Sequence, residues 1–117
     1  MELWFIGGDG NIIDYYWYEG SHWKTFQLAA PGRAHLSRTI TAVSRFNNVM
    51  EVWFTGAYQS VQGCKWNAGG TWTCYAEAVP NSAAASAGMS AVSRVTNNIE
   101  LFFIGKDKSV ADYSFAQ

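Results

Sequence analysis

The sequence predicts an all-β chain built from a four-stranded antiparallel unit, and three observations carry that prediction. The first is composition. Of 117 residues, 49% are hydrophobic and 16% aromatic, with 11 glycines and two prolines. Aromatic and β-branched side chains fit a pleated, half-buried surface, and glycine supplies turns. The second is an internal repeat. Met1-Glu2-Leu3-Trp4-Phe5-Ile6-Gly7 returns as Met50-Glu51-Val52-Trp53-Phe54-Thr55-Gly56 and again as Ile99-Glu100-Leu101-Phe102-Phe103-Ile104-Gly105. The offset is 49 residues both times, and it also relates Trp17 to Trp66 and Phe115, Trp23 to Trp72, and Ala42-Val43-Ser44-Arg45 to Ala91-Val92-Ser93-Arg94. The third is the spacing of short strands and turns inside one unit.

In the complete unit, residues 40–45 read as the first strand, ended by the polar turn Asn47-Asn48. Residues 50–55 read as the second, followed by Gly56-Ala57-Tyr58-Gln59, where the first unit has Gly7-Gly8-Asp9-Gly10. Residues 60–66 are the third, turning at Asn67-Ala68-Gly69-Gly70, and 71–77 are the fourth. The alanine/serine stretch 82–87 reads as a loop. Glu2, Trp4 and Ile6 share one strand face and Met1, Leu3 and Phe5 the other, so both faces carry apolar side chains. A strand that is apolar on both faces belongs to a sheet covered on both sides. Four short strands per 49-residue repeat, covered on both faces, describe a β-propeller blade. Residues 1–39 are then a partial blade, 40–88 a full blade and 89–117 a second partial blade.

The chain holds about 2.4 repeats. So short an array cannot bury all of its blade faces, and open strand edges invite aggregation. A homo-oligomer that completes a ring is therefore expected.

Charge excludes several functions. Net charge is −1 and charged residues make up 15% of the chain. A nucleic-acid binder held by phosphate contacts needs a basic surface, so no nucleic-acid partner is expected. No apolar run reaches the ~18 residues of a membrane-spanning helix, so no membrane insertion is expected. No signal peptide is visible either, so synthesis in the cytoplasm is expected, release would need another route, and localisation stays open. There is no nucleophile elbow, zinc-protease motif or phosphate loop. His22 and His35 lack metal-ligand spacing and read as loop residues. No enzyme activity, metal or cofactor is expected.

Side chains that recur once per repeat are the binding candidates. Arg45 and Arg94 each precede a turn that leads to Glu51 or Glu100 on the adjacent strand. Such a pair pins a hairpin as a cross-strand ion pair, or presents a fixed donor and acceptor to ligand hydroxyls. Asp14 recurs as Asp112, with Gly63 between them. Trp17, Trp23, Trp66 and Trp72 bracket the hairpin of the third and fourth strands, beside Tyr16. Indole faces stack on the C–H face of a sugar, and the same rings also fill blade cores. Cys64 and Cys74 each lie five residues from Gly69. They can face each other across that hairpin, although free thiols are the default reading, because Tyr15 and Thr25 stand at these positions in the first unit.

The residues Ile40-Thr41-Ala42-Val43-Ser44-Arg45, Met50-Glu51-Val52-Trp53-Phe54, Val61-Gln62, Asp14-Tyr15-Tyr16-Trp17-Tyr18-Glu19-Gly20 and Phe26-Gln27-Leu28-Ala29 resemble the bacterial propeller lectins of the Photorhabdus lectin type. The pattern is also similar to repeats in actinobacterial and fungal proteins. The resemblance covers the whole chain. It implies a seven-bladed ring in full-length members and binding of fucose, O-methylated forms included, between adjacent blades. Fucosylated glycans are the partners it implies, bound multivalently. From the recurring side chains, Tyr16, Trp17, Trp23, Trp66, Trp72, Arg45, Arg94, Glu51 and Asp14 are the candidate sugar-binding set. The chain departs from those lectins in length, and in Gly63-Cys64-Lys65 where the first unit has Asp14-Tyr15-Tyr16. A protein-interaction or self-assembling scaffold propeller without sugar binding is the alternative.

Overall fold

The computed structural model describes residues 1–36 and 39–116, the side chain of Ala116 excepted. Ten strands form three antiparallel sheets. The first sheet is β1 (Glu2–Ile6), β2 (Ile12–Tyr16) and β3 (Lys24–Ala29). The second is β4 (Ile40–Val43), β5 (Val49–Thr55), β6 (Val61–Asn67) and β7 (Thr73–Ala78). The third is β8 (Met89–Val92), β9 (Asn98–Ile104) and β10 (Val110–Ala116). Strands lie in sequence order within each sheet, so every connection inside a sheet is a hairpin.

The repeat is visible in backbone detail. The register shifts between Ile12 and Ile13 in the first sheet and between Val61 and Gln62 in the second, one repeat apart. Gly10, Gln59 and Lys108 hold the same turn position, and all have positive φ, at 79°, 60° and 69°. Glycine adopts this conformation freely, whereas Gln and Lys are strained there. Asn48 and Asn97 do the same at 65° and 64° before β5 and β9; asparagine tolerates it better than most residues. The connection out of each sheet is tied to the next one. Ala34 bridges to Gly56 and Ala83 to Gly105.

Two apolar cores lie between the sheets. In the first, Ile6, Ile12 and Leu28 meet Val52, Phe54 and Cys64. In the second, Trp53, Val61 and Ala78 meet Ile99, Leu101 and Phe103. Each sheet thus turns one face (Trp4 and Ile6 in the first, Trp53 and Val61 in the second) toward the sheet that follows, and the other face (Val52 and Phe54 in the second) toward the sheet before. Thr39 Oγ1 donates to Ala87 O at 2.9 Å, and Ala91 N donates to Thr41 Oγ1 at 3.1 Å, stitching the second sheet to the third.

Cys64 and Cys74 are cross-strand partners on β6 and β7 and are bonded to each other. This corrects the expectation of free thiols, because the five-residue arms about Gly69 put the two residues directly opposite. The bond closes a loop of 10 residues, for which chain entropy in the unfolded state gives about 2–3 kcal/mol. Urea unfolding with and without reductant is expected to differ by that amount, with the sheet still folded after reduction.

Candidate functional site

Two cavities lie between successive sheets, and the 49-residue offset relates their walls. The cavity between the second and third sheets has a volume of about 290 Å³. Its second-sheet wall holds Arg45, Glu51, Trp53, Lys65, Tyr75 and Glu77, and Tyr113 and Phe115 close it from the third sheet. The cavity between the first and second sheets, about 350 Å³, is lined by Glu2, Asp14, Tyr16, Lys24 and Phe26 on one side and Met50, Trp66 and Trp72 on the other. Glu2 and Glu51, Tyr16 and Lys65, Phe26 and Tyr75, and Trp66 and Phe115 are equivalent pairs.

The Arg45–Glu51 pair forms because β4 and β5 are joined by a tight hairpin that sets Val43 opposite Glu51. Arg45 Nε lies 3.3 Å from Glu51 Oε2, and both side chains are 5% exposed. The pair is in ionic contact but off the hydrogen-bond line, so Nε–H and Oε2 remain buried without hydrogen-bond partners. The Arg45 guanidinium carbon is 4.6 Å from the centroid of the Phe115 ring, in cation–π range. Burial holds the Glu51 carboxyl above its ordinary range, Arg45 and Lys65 oppose that rise, and Glu77 adds to it. Burial also pushes the Tyr75 hydroxyl up to about 12, reinforced by Glu77 and Glu51. Trp53 Nε1 donates to Glu77 Oε2 at 3.4 Å. Gly63 is required beneath Tyr75, since a Cβ there would come within 2.7 Å of the ring. The tyrosine ring therefore takes the space that Asp14 fills in the first sheet.

The other cavity carries a carboxylate pair. Asp14 is 3% exposed. Its Oδ1 and Glu2 Oε2 are buried without hydrogen-bond partners. The Glu2 carboxyl is pushed up to about 7, by burial first and then by the neighbouring Asp14 carboxyl. Burial raises Asp14 as well, against the lowering effect of the neighbouring Glu2 and Trp4 side chains. Glu2 sits above its ordinary value of 4.5. Its protonation therefore favours the folded state, a contribution complete below that value and lost as pH rises through about 7. Unfolding midpoints are expected to fall between about pH 4.5 and about pH 7, and Glu2→Gln to flatten the fall.

The structure brings together Arg45 and Glu51 in one cavity and Asp14, Tyr16, Trp66 and Trp72 in the other. Trp72 also packs edge-on against Trp4, with centroids 6.4 Å apart. Trp66 Nε1 donates to Gly70 O at 3.2 Å, which pins the hairpin. Trp17 and Trp23 line neither cavity, and Trp23 is 50% exposed. Arg94 pairs with Glu100 at 3.2 Å, but its side chain is 65% exposed, because no further sheet covers it. Sequence reasoning missed Lys65, Tyr75, Glu77 and Phe115. Projecting Tyr16, Phe26 and Trp66 forward or back by one repeat finds Lys65, Tyr75 and Phe115; Glu77 aligns with Leu28 and carries no such signal.

No protein-family model matches the chain, and no curated protein matches it in sequence. Solved structures do match. The BP39L lectin of Burkholderia pseudomallei aligns over 98% of this chain and 34% of its own, with TM-score 0.86 and 12% identity. AofleA of Arthrobotrys oligospora aligns over the same shares, with TM-score 0.71 and 21% identity. The Aleuria aurantia lectin, a six-bladed β-propeller with a fucose recognition mode, aligns over 94% of this chain and 33% of its own, with TM-score 0.70 and 16% identity. The chain spans about a third of the length of these proteins. At such identities the likeness is one of fold, and it makes the three sheets successive blades of a β-propeller.

Proposed function

We propose that this chain is a carbohydrate-binding lectin of the Photorhabdus lectin type, taking fucose or a related O-methylated sugar between blades, with no chemical step and no cofactor. The observation that carries the reading is the Arg45–Glu51 pair. It sets a buried guanidinium and carboxylate, in ionic contact but not hydrogen-bonded to each other, at a space walled by Trp53, Tyr75, Tyr113 and Phe115. A pyranose needs that combination of directed hydrogen bonds for its hydroxyls and aromatic faces for its C–H surface. That solved lectins share the fold supports it. Titration calorimetry with L-fucose tests it. Selective binding, lost when Arg45 is replaced, supports the reading; a folded protein that binds no fucosylated glycan overturns it.

Self-association belongs to the same proposal. Leu3, Phe5 and Tyr15 on the first sheet are 56%, 40% and 37% exposed, yet they stand where Val52, Phe54 and Cys64 are buried one repeat later. Phe102, Ile104 and Val110 on the third sheet occupy the positions of the covering residues Trp53, Thr55 and Val61. Head-to-tail docking of a second copy would repeat the contact already made twice within the chain. Identical sites on one assembly raise avidity without new contacts. These open faces also favour the second reading, a self-assembling or protein-interaction scaffold; a well-formed oligomer that binds no glycan would support it.

A further inference from the structure

The two cavities are built on one plan but differ in charge. The one between the second and third sheets places a buried guanidinium beside a single carboxylate of its strand pair. The one between the first and second sheets has two carboxylates, Glu2 and Asp14, side by side at its wall. Asp14 is only 3% exposed, and its Oδ1 has no hydrogen-bond partner. Among the described residues no buried cation stands beside it. Lys24 lines the same cavity but is exposed at its mouth and belongs to neither ion pair described. The amino group of Met1 is directed to Trp17 O at 2.9 Å.

The remaining walls are aromatic. Tyr16, Tyr18 and Phe26 come from the first sheet and the loop after β2, and Trp66 and Trp72 from the second sheet. Ring faces attract a desolvated cation, and buried carboxylates need one. At about 350 Å³ the cavity also takes a pyranose ring.

We propose that the cavity between the first and second blades is a site for an amino sugar, its free ammonium group held by Glu2 and Asp14 and its ring against Tyr16, Trp66 and Trp72. The carrying observation is independent of Arg45 and Glu51, so the fucose reading and this one stand or fall separately. An ammonium bound between the two carboxyls favours their ionised forms over the protonated form that burial favours in the empty cavity. Binding therefore releases a proton, which a neutral sugar would not do. The other charged or titratable groups at this cavity are Tyr16, Tyr18, Lys24 and the Met1 amino group; Met50, Trp66 and Trp72 on the facing sheet carry no charge.

The test is calorimetry on the full chain with D-glucosamine, N-acetyl-D-glucosamine and tetramethylammonium, near neutral pH, in buffers of different ionisation enthalpy. Glucosamine is expected to bind at least ~10-fold more tightly than its N-acetyl form, a margin of about 1.4 kcal/mol. Its heat is expected to vary with buffer as a proton is released. Asp14→Asn and Glu2→Gln are each expected to abolish the preference; Glu2 is less buried, so its variant reports even if Asp14→Asn does not fold. Equal binding of the two sugars, buffer-independent heat, or binding of tetramethylammonium without glucosamine overturns the proposal. Fucose binding in the same wild-type sample reports on the other reading alone.

Discussion

Replacing Arg45 with alanine is expected to abolish fucose binding between the second and third blades and to cost about 3–5 kcal/mol of stability. The cost arises because Glu51 would stay behind as a charge 4% exposed, with its carboxyl already raised by burial and now lacking Arg45, its main opposing charge. Arg94→Ala provides the comparison. Its pair with Glu100 has similar length but an exposed arginine, and solvent screening limits such a pair to about 0–1 kcal/mol. Urea unfolding of both variants beside calorimetry with L-fucose measures the two effects. Equal stability losses at Arg45 and Arg94 would contradict the role given to the third blade in burying Arg45. Adding Glu51→Gln to Arg45→Ala is expected to recover part of the stability and none of the binding, which separates support of the fold from contact with the sugar.

Phe54→Ala is expected to cost about 3–5 kcal/mol, the range for a buried aromatic removed from a close-packed core. Phe54 is 1% exposed and sits between Ile6, Ile12 and Leu28 of the first blade and its own sheet. Phe5 is its equivalent one repeat earlier and is 40% exposed. In a dilute monomer Phe5→Ala is expected to change stability by less than about 1 kcal/mol. If copies dock head to tail, the same change becomes costly and its cost grows with protein concentration. Unfolding measured across a concentration series, with native mass, distinguishes the two cases. A monomer at every concentration, with Phe5→Ala silent throughout, overturns the self-association proposal.

Most of the fold was legible because a repeat states its own boundaries. Strands read at 40–45, 50–55, 60–66 and 71–77 appear as Ile40–Val43, Val49–Thr55, Val61–Asn67 and Thr73–Ala78, each moved by three residues or fewer at either end. The shifted starts of β5 and β6 lie beside Asn48 and Gln59, which take positive φ, a backbone property that two side chains do not announce. The Arg45–Glu51 contact was legible from strand pairing, and so was the facing of Cys64 and Cys74, though not the bond between them. The aromatic assignments were only partly so. Trp66 and Trp72 reach a cavity while Trp17 and Trp23, with the same local pattern, do not. Their difference lies in which neighbouring sheet stands opposite, and no local pattern encodes that.

Sequence alone determined the repeat, the strand order and the side-chain alternation, since these follow from spacing along the chain. Burial, charge state and the division of the cavities were decided by the tertiary structure. Arg45 and Arg94 share the motif Ala-Val-Ser-Arg, and Phe5 and Phe54 share a strand position. One member of each pair is buried and the other exposed. Desolvation, and with it every pKa shift and most of the packing energy, depends on a neighbouring blade covering the site. That neighbour belongs to a different repeat, so its presence is a property of the assembled sheets and not of the motif.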